Sequence, residues 1–125
     1  MSSDTKPLGK WAMRKLVKSV SSMSYKGGGI LFVQFPVSDS NLLQLQSIPN
    51  VSVMILVLQY TDAVTLVVSS APNLPTAWRL LCLSAKELLV DASEDERTRV
   101  VSQLRLMASD RATEEAVQLI EPEWF

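Results

Sequence analysis

The chain contains no histidine, and that absence removes more chemistry than any residue present supplies. Without an imidazole there is no Ser-His-Asp or Cys-His activation of a nucleophile. Histidine acid–base catalysis and histidine-ligated metals go with it. Cysteine is nearly as scarce: Cys82 is the single thiol in 125 residues. One cysteine makes no internal disulfide, no thiolate metal site and no CxxC redox pair. It lies in Leu80-Leu81-Cys82-Leu83, an apolar helical setting that predicts a packed thiol rather than a nucleophile. A lone free thiol is compatible with a reducing compartment. Long apolar runs are missing as well. The longest, residues 53–58, is too short to span a bilayer, and Gln59, Tyr60, Thr61 and Asp62 separate it from the next. The N-terminal stretch has its basic residues spread out and no continuous apolar segment of the secretory kind. The expectation is a soluble, cytoplasmic chain, peripheral to a membrane if it meets one.

Two short motifs invite a chemical reading and do not sustain it. Lys26-Gly27-Gly28-Gly29 lacks the Gly-Lys-Ser/Thr ending of a phosphate loop, and it precedes a strand instead of joining a strand to a helix. It also lacks the spacing of a dinucleotide fingerprint. It reads as a flexible connector. Glu94, Asp95 and Glu96 cluster as catalytic carboxylates can, yet they follow Ser93 at a predicted helix start, where capping accounts for them. No Asp-x-Asp-x-Asp-Gly loop offers a hard-cation site. No catalytic residue, cofactor or metal is assigned.

What the chain does contain is a charge boundary near residue 38. Residues 1–38 hold six Lys/Arg against Asp4 alone, and residues 39–125 hold six Lys/Arg against twelve acids, so the parts carry about +5 and −6. A basic segment joined to an acidic body points to an anionic partner or to another copy of the chain.

Hydrophobic spacing organises the rest. Residues 1–6 are polar and expected to fray, leaving 7–125 as one domain. Residues 8–24 repeat apolar side chains at helical intervals, with Pro7 able to serve as a first helical residue. After the glycines, 30–37 reads as a strand, 41–47 as a short helix capped from Ser38-Asp39-Ser40, 51–59 as a strand with both faces covered, and 63–69 as a third strand after a turn at Thr61-Asp62. Pro72 and Pro75 bracket a loop before a buried helix over 76–90. Ser93 opens a helix to Ala108, and Asp110 or Thr113 opens a last one to Ile120, with Ala112, Ala116, Leu119 and Ile120 inward. The fold class is α+β (or small α/β), in the order α-β-α-β-β-α-α-α. A small sheet of this kind leaves two edges, 30–37 or 63–69 being the ones exposed unless something covers them. Edge pairing or packing of the C-terminal helices into a homo-oligomer is one solution.

Two surfaces stand out as binding sites for a polyanion or a partner. On the first helix Lys10, Arg14, Lys15 and Lys18 project opposite the apolar stripe, with Trp11 among them and Lys26 just beyond. An aromatic within a basic face can stack on a base, sit at a lipid headgroup boundary, or lie under a cation. It can equally pack elsewhere in the protein. At the other end, Glu121, Glu123, Trp124 and Phe125 form a docking peptide in which charges steer and rings anchor, unless the tail folds back over a strand edge. In a third arrangement this acidic tail contacts the basic helix of the same or another copy.

The first functional expectation is a non-enzymatic, self-associating protein-interaction module with a protein partner. The second is a peripheral binder of a polyanion, either an anionic membrane surface or nucleic acid. The strand aromatics Phe32 and Phe35 both fit a core, which weakens the nucleic-acid form. An enzyme would have to rely on Lys, Asp, Glu, Tyr25 or Tyr60 in a pocket.

Overall fold

The computed structural model describes residues 9–34, 37–59, 64–115 and 117–125, the side chains of 111–115 excepted. The segment 1–6, Pro7, Phe35, Pro36 and the Thr61-Asp62 turn therefore lie outside the described residues. Seven elements follow one another: α1 (Lys10–Tyr25), β1 (Gly29–Val33), α2 (Asp39–Gln46), β2 (Ser52–Gln59), β3 (Val64–Ala71), α3 (Leu74–Leu88) and α4 (Glu94–Glu115). This is the expected α+β class, with the order α-β-α-β-β-α-α.

Helix α1 buries Met13, Leu16, Val20 and Ser24, a stripe at intervals of three and four residues. It ends in a hydrogen-bonded reversal. The Gly27 N–H donates to the Ser24 carbonyl at 2.9 Å and the Gly28 N–H to the Met23 carbonyl at 2.8 Å. This is the Schellman pattern, and it needs positive φ, which Gly27 (104°) and Gly28 (129°) supply. The glycines form a specified turn, not the loose connector expected. A Cβ on Gly28 would also lie 2.9 Å from Leu80 Cδ1, so α3 passes close to this turn.

The strands form one antiparallel sheet in the order β1-β3-β2. Strand β3 is central, which corrects the expectation that 63–69 is an edge; the edges are β1 and β2. The reason is visible in burial. From Leu66 to Ala71 every β3 residue is buried, as a strand flanked on both sides and covered on both faces must be. Strands β1 and β2 run parallel to each other with β3 inserted between them, and α2 carries the chain across.

Alternation along the strands divides the core in two. Val33, Val53, Leu66 and Val68 pack with Met13, Leu16, Val20 and Leu45 beneath α1 and α2. Met54, Leu56, Leu58 and Val67 pack with Ala77, Trp78, Leu81, Ala85, Val100 and Leu104 beneath α3 and α4. The sheet is thus a middle layer with two helices on each face. Phe32, expected in the core, is 50% exposed on β1, an edge strand with a neighbour on one side alone.

Two helix boundaries differ from expectation. Helix α3 starts at Leu74, capped by Asn73, whose side chain accepts from the Thr76 N–H at 2.9 Å; Pro75 belongs to the first turn and not to a loop. Helix α4 opens on the expected Ser93 cap, which accepts from the Glu96 N–H at 3.2 Å, then runs unbroken to Glu115. Asp110 lies inside this helix and opens no new one, while the side chains of Ala112 and Thr113, and Ala116, lie outside the described residues. No glycine or proline interrupts 94–115, so nothing stops the helix there. The separate last helix to Ile120 does not form: residues 117–120 are irregular, and Ile120, expected inward, is 79% exposed.

Candidate functional site

Helix α1 carries the basic face as anticipated. Lys10, Arg14, Lys15, Lys18 and Lys26 are all exposed, and among the described residues none pairs with a carboxylate. Trp11 stands among them at 72% exposure. Among the described residues its ring meets Lys15, whose Nζ lies 4.4 Å from the ring centroid in cation–π geometry. Lys15 and Lys18, with Ser19 and Ser22, line a shallow depression beside it.

The sequence reading left one side chain off this face. Tyr25, at the end of α1, is 93% exposed. At about 100° per residue, positions seven apart fall nearly in line, so Trp11, Lys18 and Tyr25 form a single row along the outermost line of the helix. Extending the projection past Lys18 to the helix end identifies Tyr25 from sequence alone.

The C-terminal residues are arranged differently from a free docking peptide. The Trp78 indole Nε1–H donates to the Ile120 carbonyl at 3.0 Å and so ties the returning chain to α3. Phe125 meets Trp78 edge-on with centroids 6.3 Å apart and Trp124 at 5.0 Å. The Arg105 guanidinium of α4 sits 5.6 Å over the Phe125 ring. Trp124 and Phe125 are half-buried against α3 and α4, while Glu121 and Glu123 remain exposed. The tail does fold back, but over helices and not over a strand edge. Because α3 and α4 lie on the sheet face opposite α1, the tail is also remote from the basic helix of its own chain.

The two sheet edges are treated unequally. On β2, the Gln103 side chain of α4 acts like a strand residue: its amide oxygen accepts from the Val57 N–H at 2.7 Å and its amide nitrogen donates to the Val57 carbonyl at 3.0 Å. Those bonds fix the pairing phase. If Val57 faces outward, Leu56 faces β3, and alternation across β3 leaves Ile30 and Phe32 of β1 with outward backbone groups. Among the described residues nothing bonds to them, and on β2 the outward groups of Val53, Ile55 and Gln59, on either side of Val57, are likewise without a bond.

Other features are quiet. A groove of about 330 Å³ runs between α3 and the returning tail, lined by Trp78, Cys82, Leu83, Leu119 and Ile120. The Cys82 thiol is buried, and desolvation pushes its pKa up to about 12, as fits a packing role. Among the described residues no group of three or more acidic or thiol side chains is placed to hold a metal ion, and no helix is long and apolar enough to cross a membrane.

No protein-family model matches this chain, and neither a curated protein nor a solved structure matches it.

Proposed function

We propose that the chain is a non-enzymatic interaction module that self-associates through the outer edge of β1. Two copies pair antiparallel there and extend the three-stranded sheet to six strands. The carrying observation is that Ile30 and Phe32 leave β1 unpaired among the described residues, with a half-exposed aromatic beside them, whereas on β2 Gln103 occupies Val57 in the middle of that edge and interrupts it. A second copy is the occupant because an antiparallel edge is its own complement under a two-fold axis. The lack of histidine and the single packed thiol support a role without catalysis, and a reducing cytoplasmic setting suits that thiol.

Light scattering across a concentration series tests this. The expected result is a mass of twice the chain for the wild type and of one chain for Phe32→Lys, with circular dichroism unchanged between them. A wild type that stays monomeric at every concentration overturns it.

A second reading, binding of a polyanion by α1, is favoured by the exposure of Trp11 amid unpaired cations. Four to five cations support a salt-dependent affinity without base specificity. Heparin retention that falls with salt, and that is lost when Lys10, Arg14, Lys15 and Lys18 are changed to Glu, is the expected outcome. Flow-through of the wild type removes this reading and leaves the first intact.

A further inference from the structure

We infer that the occupant of the α1 face is an anionic lipid surface, met by the row Trp11–Lys18–Tyr25 lying flat on the headgroups. This rests on the polyanion reading and narrows it to one class of partner.

Geometry carries the choice. Trp11 and Tyr25 are fourteen residues apart on one line of α1, which sets their rings about 21 Å apart along the axis. Both stand off the protein, at 72% and 93% exposure. Lys18 lies midway, and Arg14 and Lys15 flank it. The pattern is an aromatic at each end of a cationic helix, on a convex face with only a shallow depression. A plane touches such a ridge along its whole length, and amphipathic Trp and Tyr rings favour the headgroup level of a bilayer.

Single-stranded nucleic acid fits it poorly. Stacking binders place rings against successive bases in a groove, whereas a spacing of about 21 Å passes some six nucleotides with no ring between. Serines 19, 21 and 22 fill the intervening surface, and they offer little for reading base edges.

Charge is arranged in the same sense. Residues 9–59 hold five Lys/Arg against Asp39, whereas residues 64–125 hold six Lys/Arg against ten acids, so the two parts carry about +4 and −4. Helix α1 lies on one face of the sheet, and α3, α4 and the tail, which carry the acids, lie on the other. An anionic plane therefore orients the protein with α1 toward it and the acidic layer away. The apolar stripe of α1 is committed to the core, so contact is adsorption at headgroup depth, without insertion of the helix.

The test is co-sedimentation with phosphatidylcholine vesicles, with and without phosphatidylserine, at low and high salt. It is paired with heparin retention of the same proteins. Binding only to the phosphatidylserine vesicles is expected. Trp11→Ala and Tyr25→Ala each lower vesicle partition by about tenfold but leave heparin retention nearly unchanged, while Lys18→Glu lowers both. Lipid spin-labelled near the acyl carbonyl quenches a part of the fluorescence that Trp11→Ala lacks. All three positions are exposed, so the fold is preserved, and circular dichroism checks it. Heparin retention without vesicle binding overturns the lipid assignment and keeps the polyanion reading. Binding to an oligonucleotide in preference to vesicles does the same and moves the site to nucleic acid. Failure on both heparin and vesicles removes both.

Discussion

A single side chain can hold a boundary of this fold, and Gln103 is the clearest case. It projects from α4, yet it satisfies both backbone groups of Val57 on the neighbouring strand. Replacement by Ala leaves those groups to water, so the direct loss is small, about 1 kcal/mol in a denaturant titration. The larger effect is on association. With Val57 freed, the outward groups of Val53, Ile55, Val57 and Gln59 form an uninterrupted second pairing edge, and light scattering of Gln103→Ala shows species above the dimer that grow with concentration. A mass no different from that of the wild type would mean that α4 covers the edge without its help. Cys82 acts at the same scale. Its folded-state pKa of about 12 exceeds the ordinary value of 9.0, since burial disfavours the thiolate. The neutral thiol therefore contributes stability that is fully present below about pH 9 and is lost as pH rises toward 12. Above pH 9 the wild type loses stability more steeply with pH than Cys82→Ala, by at most about 1.4 kcal/mol per unit. Equal slopes would place the thiol in contact with water. Alkylation of the native protein at neutral pH is correspondingly slow, and denaturant removes the protection.

At the scale of elements, most of the chain was legible because its signals are local. The stripe Met13, Leu16, Val20 and the caps at Ser38 and Ser93 are decided within a few residues, and each occurs where the spacing puts it. The errors share a cause. Asp110 and Thr113 have the chemistry of helix caps, but a cap is used only where the helix has another reason to stop, and 94–115 contains none. Pro75 resembles a loop residue until Asn73 takes the cap and places it in the first turn, where its missing N–H costs nothing. The glycine run looked like slack. Its positive φ values and the two bonds back to Ser24 and Met23 make it a defined turn instead. Tyr25 joins the basic face only when the helical projection is carried to that turn, beside the glycines, where a helix end is easily read as a loop.

The whole molecule brings the two proposed surfaces into one arrangement. Antiparallel pairing of identical edges requires a two-fold axis perpendicular to the sheet, and such an axis keeps each face on its own side. Both copies of α1 then lie on one face of the six-stranded sheet, and both acidic layers lie on the other. Neighbouring basic helices repel each other, and an anionic surface relieves that repulsion, so lipid and dimer stabilise one another. Two helices held to one plane also bind with the gain of a bivalent ligand. Phe32→Lys, which leaves α1 untouched, is therefore expected to weaken binding to phosphatidylserine vesicles at least tenfold. Dilution of the wild type below its dimer threshold has the same effect. Vesicle affinity that is indifferent to both manipulations would make the two surfaces independent.

The division between sequence and tertiary structure follows the range of the interactions. The α+β class, the basic face of α1, the helix caps and the closing of routes through histidine chemistry are written in residue types and short spacings, which the chain cannot rearrange. Which strand is central is another matter. Strands β2 and β3 are both mainly apolar, and only the path of α2 across the sheet, and the burial of β3 from Leu66 to Ala71, decided between them. The exposure of Trp11 and Phe32, the seat of Trp124 and Phe125 on α3 and α4, and the pairing of Gln103 with Val57 depend on contacts between distant segments, Gln103 and Val57 being 46 residues apart. Local propensity has no term for such contacts, because they exist only once the layers have closed on one another.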